Sequence, residues 1–212
     1  MMRTHKLVLA ALALGLAGCS SMGGSGVGLD NGYYSLVRVR AVQVGDGSMS
    51  VTAPRPWNRT RRSIFTFEDV RQVEDWTLNG PLLDSISFIT GLRNNREIIR
   101  QRRTEDRQVP RFRSDMSAPE ITAMLETFFR VQAGSVDFRT LSLRPRPFLG
   151  ANGFQWDYEH LDSDELWRKG RAVGAVIDGK LYLILLDAAR SHYYATTVGD
   201  FEAIVASARR RR

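Results

Sequence analysis

The stretch Ala172 to Leu186, AVGAVIDGKLYLILL, constrains the fold more than any other part of the chain. It reads as two apolar strands joined at Asp178-Gly179. A two-residue Asp-Gly link suits a hairpin turn that needs positive φ at both central positions. The second arm, Leu181 to Leu186, is an unbroken apolar run. A strand of that kind has both faces covered and belongs in the middle of a sheet flanked by helices. The hairpin is therefore expected at the centre of a sheet in an α+β domain.

Other segments supply the rest of such a sheet. Residues 36–53 alternate around the turn Gly45-Asp46-Gly47-Ser48, with Val37, Val39 and Ala41 on one face, and predict a first hairpin. Pro54 and Pro56 end it, and Trp57 is expected to plug the rim of the core. Short strands are expected at Ile64–Phe67 and at Leu82–Ile89, the latter with Leu82, Ile86 and Phe88 inward. Trp76 and Leu78 lead into a turn at Asn79-Gly80-Pro81. Val136–Leu143 is a further strand. In 153–160, Phe154, Trp156 and Tyr158 form one aromatic face. Two amphipathic helices complete the set. Ser117-Ala118-Pro119-Glu120 is a capping box, followed by Ile121, Met124, Leu125, Phe128 and Phe129 at helical spacing and closed by Gly134. Thr197 is expected to cap a last helix that carries Phe201, Ile204, Val205 and Ala208. Strands, a helix, more strands and a closing helix predict a mostly antiparallel sheet with helices on its faces, an α/β/α sandwich.

The N-terminus predicts an address. Arg3, His5 and Lys6 precede the apolar run Leu7–Leu16, too short to span a bilayer, and Leu16-Ala17-Gly18-Cys19 follows. Cys19 is the one cysteine among 212 residues, so no internal disulfide and no cysteine-based zinc site is available. The Leu-Ala-Gly-Cys string resembles the lipobox of bacterial lipoproteins. The resemblance implies cleavage before Cys19, lipid attachment to its sulfur, and acylation of the new N-terminus. Two or three acyl chains anchor stably where one does not. Ser20 rather than Asp follows the cysteine, which by analogy with enterobacterial sorting points to the periplasmic face of the outer membrane more than the inner. Residues 1–18 are then a signal peptide, 19–33 a Ser/Gly-rich tether, and 34–208 one domain.

The second half of the chain resembles the PsbP-like fold. The matching features are the helix capped at Ser117, the aromatic strand Gly153–Tyr158, the Asp178-Gly179 hairpin, the pair Tyr193-Tyr194 and the last helix through Phe201 and Ile204. PsbP-like domains include photosystem extrinsic proteins and small bacterial lipoproteins. The resemblance implies a binding or assembly module with no shared catalytic set.

Charge supplies the functional leads. Arginine outnumbers lysine 27 to 3, and the net charge is +7. A GC-rich coding sequence would write the same bias. Leu92–Arg113 holds Arg93, Arg96, Arg100, Arg102, Arg103, Arg107, Arg111 and Arg113 against Glu97, Glu105 and Asp106. With the tail Arg209–Arg212 it carries most of the excess charge. Such a segment either recruits anions, such as anionic lipid or lipopolysaccharide, or is a solvated loop paired with an acidic cluster. That cluster is Asp157, Glu159, Asp162, Asp164 and Glu165. Paired carboxylates of this kind could serve a hydrolase or a hard cation, or simply line a solvated strand. His160 and His192 show no metal-ligand spacing, and Ser191-His192 adjacency does not make a triad. Trp57, Trp76, Phe154 and Trp156 could line a pocket, but at strand spacing they read as core. The expectation is a non-enzymatic envelope lipoprotein with no metal or cofactor and no nucleic-acid partner. Its partners would be the membrane through Cys19 and an envelope protein or anionic lipid. The alternatives are an anion-binding module using Arg93, Arg96, Arg100, Arg102, Arg103 and Arg107, and an envelope hydrolase using the acidic cluster or His192.

Overall fold

A computed structural model describes residues 34–60, 72–98, 110–132 and 134–211. Its central pair is β9 (Trp167–Ile177) and β10 (Lys180–Ala189), joined at Asp178 (φ 50°) and Gly179 (φ 70°). Both central turn residues have the positive φ that this link requires. Eight strands before them and β11 after them complete two sheets. The larger holds β1 (Tyr34–Val37), β4 (Trp57–Thr60), β5 (Val73–Thr77), β6 (Asp84–Leu92), β7 (Asp137–Pro145) and β8 (Phe154–Leu161) besides the hairpin. Its order is β1-β4-β5-β6-β10-β9-β8-β7, and every pairing is antiparallel. β10 thus lies inside the sheet, between β6 and β9.

Helix α1 (Ala118–Gln132) covers one face and α2 (Tyr193–Ser207) the other. Leu181, Leu183 and Leu185 join Ile121, Met124, Leu125 and Phe129 of α1 in one core. Tyr182, Ile184 and Leu186 join Phe201, Ile204 and Val205 of α2 in the second. The unbroken apolar run of β10 follows directly, because each face of that strand has its own helix to bury it. Trp57 and Trp76 lie in the α2 core, and Phe154 and Trp156 in the α1 core; all four are buried. Gly170 is required by packing: a Cβ there would meet the Tyr158 ring carbon Cζ at 2.0 Å.

The α1 cap forms as expected, with Ser117 N–H donating to Glu120 at 2.7 Å. That hydrogen bond, with the Ser117 hydroxyl and Arg113 adding to it, holds the Glu120 carboxyl below its usual range.

Several expectations are corrected. The chain from 36 to 53 is not one hairpin. β1 is an edge strand of the large sheet, paired with β4, and only β2 (Ala41–Val44) and β3 (Met49–Thr52) form the hairpin. Between β1 and β2 a tight turn, Arg40 N–H to Arg38 O at 2.8 Å, moves the chain from one sheet to the other. Val39 and Ala41 are exposed as a result. β4 and β5 are strands that the sequence did not announce, each four or five residues long and half polar. Leu82 is 75% exposed because the strand begins only at Asp84, after the turn. Val136, likewise, precedes β7 and is exposed. Thr197 is not a cap. α2 starts four residues earlier, and Thr197 is buried with its hydroxyl donating to Tyr193 O at 2.6 Å. A strand in the tail is likewise one that the sequence did not announce: β11 (Arg209–Arg210) pairs with Ser50 and Met49, completing the small sheet β11-β3-β2. The strand expected at Ile64–Phe67 lies outside the described residues.

Candidate functional site

Antiparallel pairing gives the large sheet two ends with opposite chemistry. One end carries the β8–β9 turn, the C-terminus of β10 and the N-terminus of α2. The aromatic face of β8 continues there past Tyr158 to His160, which is fully buried. Its ring packs on Phe129 at 4.9 Å and Phe138 at 5.6 Å. Nε2 stands 3.1 Å from Asp187 Oδ2. Nδ1 stands 2.8 Å from Ser135 Oγ and equally 2.8 Å from Asp162 Oδ1. The Asp162 contact is an ion pair by distance, since its Oδ1 makes no well-angled hydrogen bond. Arg168 completes the group, donating to Asp187 at 3.2 Å and to the Leu82 carbonyl at 2.7 Å. Two cations face two carboxylates, so the buried group is electrically balanced.

Ser135, His160 and Asp187 thus stand in the order of a hydrolytic triad, which sequence reading missed because 25 and 27 residues separate the pairs. The protonation state argues against general-base chemistry. Burial by itself would depress the imidazole, but Asp162 and Asp187 outweigh it and raise the pKa to about 9. At neutral pH the ring is an imidazolium with both nitrogens donating, and it has no lone pair to accept a serine proton. His192, the other candidate, is exposed at the start of α2 with no capping hydrogen bond from its side chain.

Asp157 and Glu159 face the α2 side, whereas Asp164 and Glu165 are exposed in the β8–β9 turn. Asp157 accepts from Arg171 at 2.5 Å, Gln155 at 2.8 Å and Ser142 at 2.9 Å. Burial works against its charge, yet these donors keep its carboxyl below the usual range. Arg171 also reaches Glu202 of α2 at 2.7 Å, and Arg146 grips the other Glu202 oxygen at 2.7 Å. Glu159 pairs with Arg190 and Lys169. Among the described residues, no group of three or more His, Cys, Asp or Glu side chains is placed to hold a metal ion.

The opposite end gathers the basic charge. β6 finishes at Leu92, across from Leu181 at the start of β10, which is across from Val176 at the end of β9. Arg93 and Arg96 follow directly. Ser114 lies 3.7 Å from where a Gly179 side chain would start, so Arg111 and Arg113 are at the same end. The tail joins them: Arg210 bonds to Asp178, and Arg211 N–H donates to Ser48 O at 2.8 Å. Arg93, Arg96, Arg111, Arg113, Arg209, Arg210 and Arg211 are all exposed. A cleft of about 830 Å³ opens beside the tail, floored by Phe148, Val205 and Ala208 and rimmed by Arg146, Arg209 and Arg210.

The two leads of the sequence are therefore apart. Arg93, Arg96, Arg111 and Arg113 do not pair with the acidic cluster, because the ten residues of β10, about 30 Å at ~3.3 Å each, separate the two ends. Arg111 pairs instead with its neighbour Glu97, and Arg113 with Asp115 and Glu120. Cys19, Arg100, Arg102, Arg103 and Arg107 lie outside the described residues.

No protein-family model and no curated protein matches the sequence. Among solved structures, the chain is similar to cyanobacterial PsbP (CyanoP) from Synechocystis sp. PCC 6803, with a TM-score of 0.50 and 15% identity over 89% of this chain and 98% of that one. Weaker similarity links it to the Ran-binding protein Mog1p of Saccharomyces cerevisiae, with a TM-score of 0.45 and 7% identity over 82% of this chain and 95% of that one. LpqN of Mycobacterium tuberculosis, described as involved in cell envelope biogenesis, matches with a TM-score of 0.34 and 10% identity over 83% and 84%. At these identities the likeness is one of fold. With its antiparallel sheet between two helices, this chain has the PsbP-like α+β fold.

Proposed function

We propose that this protein is a cell-envelope lipoprotein whose domain is a non-catalytic binding or assembly module, held to the periplasmic face of a membrane by acyl chains on Cys19. The observation that carries the non-catalytic part is the setting of His160, buried with an aspartate carboxylate at each ring nitrogen. The best-placed base in the described residues is buried, charge-balanced and protonated at neutral pH. Asp157, Glu159, Asp162 and Asp187 are each engaged by an arginine, lysine or histidine of the same chain, which suits a scaffold better than an acid–base pair. The lipobox supports the anchor.

Two experiments test the two parts. Labelled palmitate should enter the full-length protein in a bacterial host, and Cys19→Ser should abolish labelling and release the protein from membranes. A labelled-free wild type, or a Cys19→Ser variant still membrane-bound, rejects the anchor. A fluorophosphonate probe should leave Ser135 unmodified. Modification that disappears in Ser135→Ala would overturn the non-catalytic reading.

A further inference from the structure

The polarity of the sheet places the start of the domain at the basic end. β6 runs toward Leu92 and its arginines. β5 is antiparallel to it, with Val73 opposite Ile89, so β5 begins at that end. β4 pairs Asn58 with Thr77 and Arg59 with Trp76, so it finishes there, at Thr60. β1 pairs Tyr34 with Thr60. Tyr34, the first described residue, therefore enters the fold at the end that carries Arg93, Arg96, Arg111, Arg113 and the tail. Fourteen residues separate Cys19 from Tyr34, and a chain of that length spans at most about 50 Å.

We infer that the basic end is a membrane-facing surface, which binds the phosphates of anionic phospholipid headgroups in the bilayer that holds the anchor. The inference rests on the envelope reading above for its biological setting, but the surface itself is independent of the lipid on Cys19. Three features argue for this occupant. The exposed arginines come from two separate segments, β6–α1 and the C-terminal tail, brought into one surface by the fold. Guanidinium groups take phosphate oxygens two at a time, which suits a headgroup layer. The tether arrives on the same side, so an anchored domain can meet its own membrane with this end first and its acidic end outward. One acyl signal combined with a basic patch is a recognised physical route to stable attachment. Among the described residues, Arg93, Arg96 and Arg211 have no side-chain partner, whereas Arg209 is spent on the Ala206 and Ala208 carbonyls and Arg210 on Asp178.

The test uses the chain from residue 19 with Cys19→Ser, so that anchor and surface are separated. It should sediment with vesicles of phosphatidylglycerol and phosphatidylcholine, and not with phosphatidylcholine alone. Binding should fall steeply between about 50 and 200 mM salt, over which the Debye length is roughly halved. Each arginine at a membrane surface is worth about fivefold in partitioning, so Arg93→Glu with Arg96→Glu and Arg211→Glu should weaken binding at least ~100-fold. The matched variant Arg130→Glu with Arg139→Glu and Arg190→Glu, at the acidic end, should bind nearly as the parent does. Thermal melts confirm that both variants fold. An environment-sensitive dye on Ser114→Cys should shift to the blue on vesicles, and the same dye on Ser163→Cys should not. Equal losses in both triple variants, a shift at Ser163 instead of Ser114, or no binding to anionic vesicles each overturns the inference. None of these results bears on palmitate labelling of Cys19, so failure here leaves the anchor standing.

Discussion

His160 couples the stability of the domain to pH. Its folded pKa of about 9 lies above the ordinary value of 6.5. A group raised in this way contributes stability that is fully present below pH ~6.5 and is lost as pH climbs through ~9. The shift corresponds to a loss on the order of 3 kcal/mol across that window. Urea unfolding followed by tryptophan fluorescence should show the decline in the wild type, and His160→Asn should be less stable but flat over the same range. A flat wild-type profile would refute the protonated ring. Gly170 is the second sensitive position. Gly170→Ala drives a methyl against the Tyr158 ring, which is itself packed on Phe138 and Trp156 and cannot retreat. The expected cost is about 1–3 kcal/mol in the same assay, with recovery in the double variant that also carries Tyr158→Leu.

At the scale of elements, α2 is held by two different means. Its Phe201, Ile204 and Val205 bury against β10 and the small sheet, and its Glu202 is clamped by Arg146 from the β7–β8 link and Arg171 from β9. Burial resists the charge on Arg171, yet Asp157 and Glu202 hold its pKa above the ordinary value. Arg171→Ala leaves both carboxylates without that partner, and should destabilise the fold by about 1–3 kcal/mol. Hydrogen exchange should quicken in α2 and β8 first; unchanged exchange there would dismiss the clamp. The outer edge of β7 shows how the sheet avoids further pairing. Arg139, Arg144 and Pro145 sit on that strand, and charge or proline on an edge discourages a neighbouring chain.

The described residues form two cores on opposite faces of the large sheet, and both draw on β6, β9 and above all β10. Because alternate residues of β10 belong to the α1 core and the α2 core, neither can open without exposing the other side of the same strand. Phe129→Ala in the first and Phe201→Ala in the second should each cost about 3–5 kcal/mol and shift one common transition. Fluorescence and far-UV circular dichroism should report coincident midpoints in both variants. Two separated transitions would mean that the cores are independent. Charge is also organised at this scale, with exposed arginines at one end of the strands and carboxylates from the β8–β9 turn at the other. The net charge of +7 is therefore less informative than its direction.

Local pattern was enough for the elements whose burial is visible within a few residues. The Asp-Gly turn, the two-faced apolar run of β10, the α1 stripe and the aromatic face of β8 all announce themselves, because period and turn chemistry are properties of neighbours along the chain. β4 and β5 were illegible, since strands that short are made by their partners rather than by their own composition. The arginine segment was visible, but not its separation from the acidic cluster, which depends on which ends of antiparallel strands coincide. The Ser135–His160–Asp187 contacts were hidden for the same reason: their meeting is a product of strand register, and so are the Asp162 and Asp187 carboxylates that keep the imidazole charged against its burial. Composition and spacing thus determined what kinds of layers this chain can form. Tertiary pairing decided which side chains share an end of the sheet, and with that the charge polarity on which its proposed membrane orientation rests.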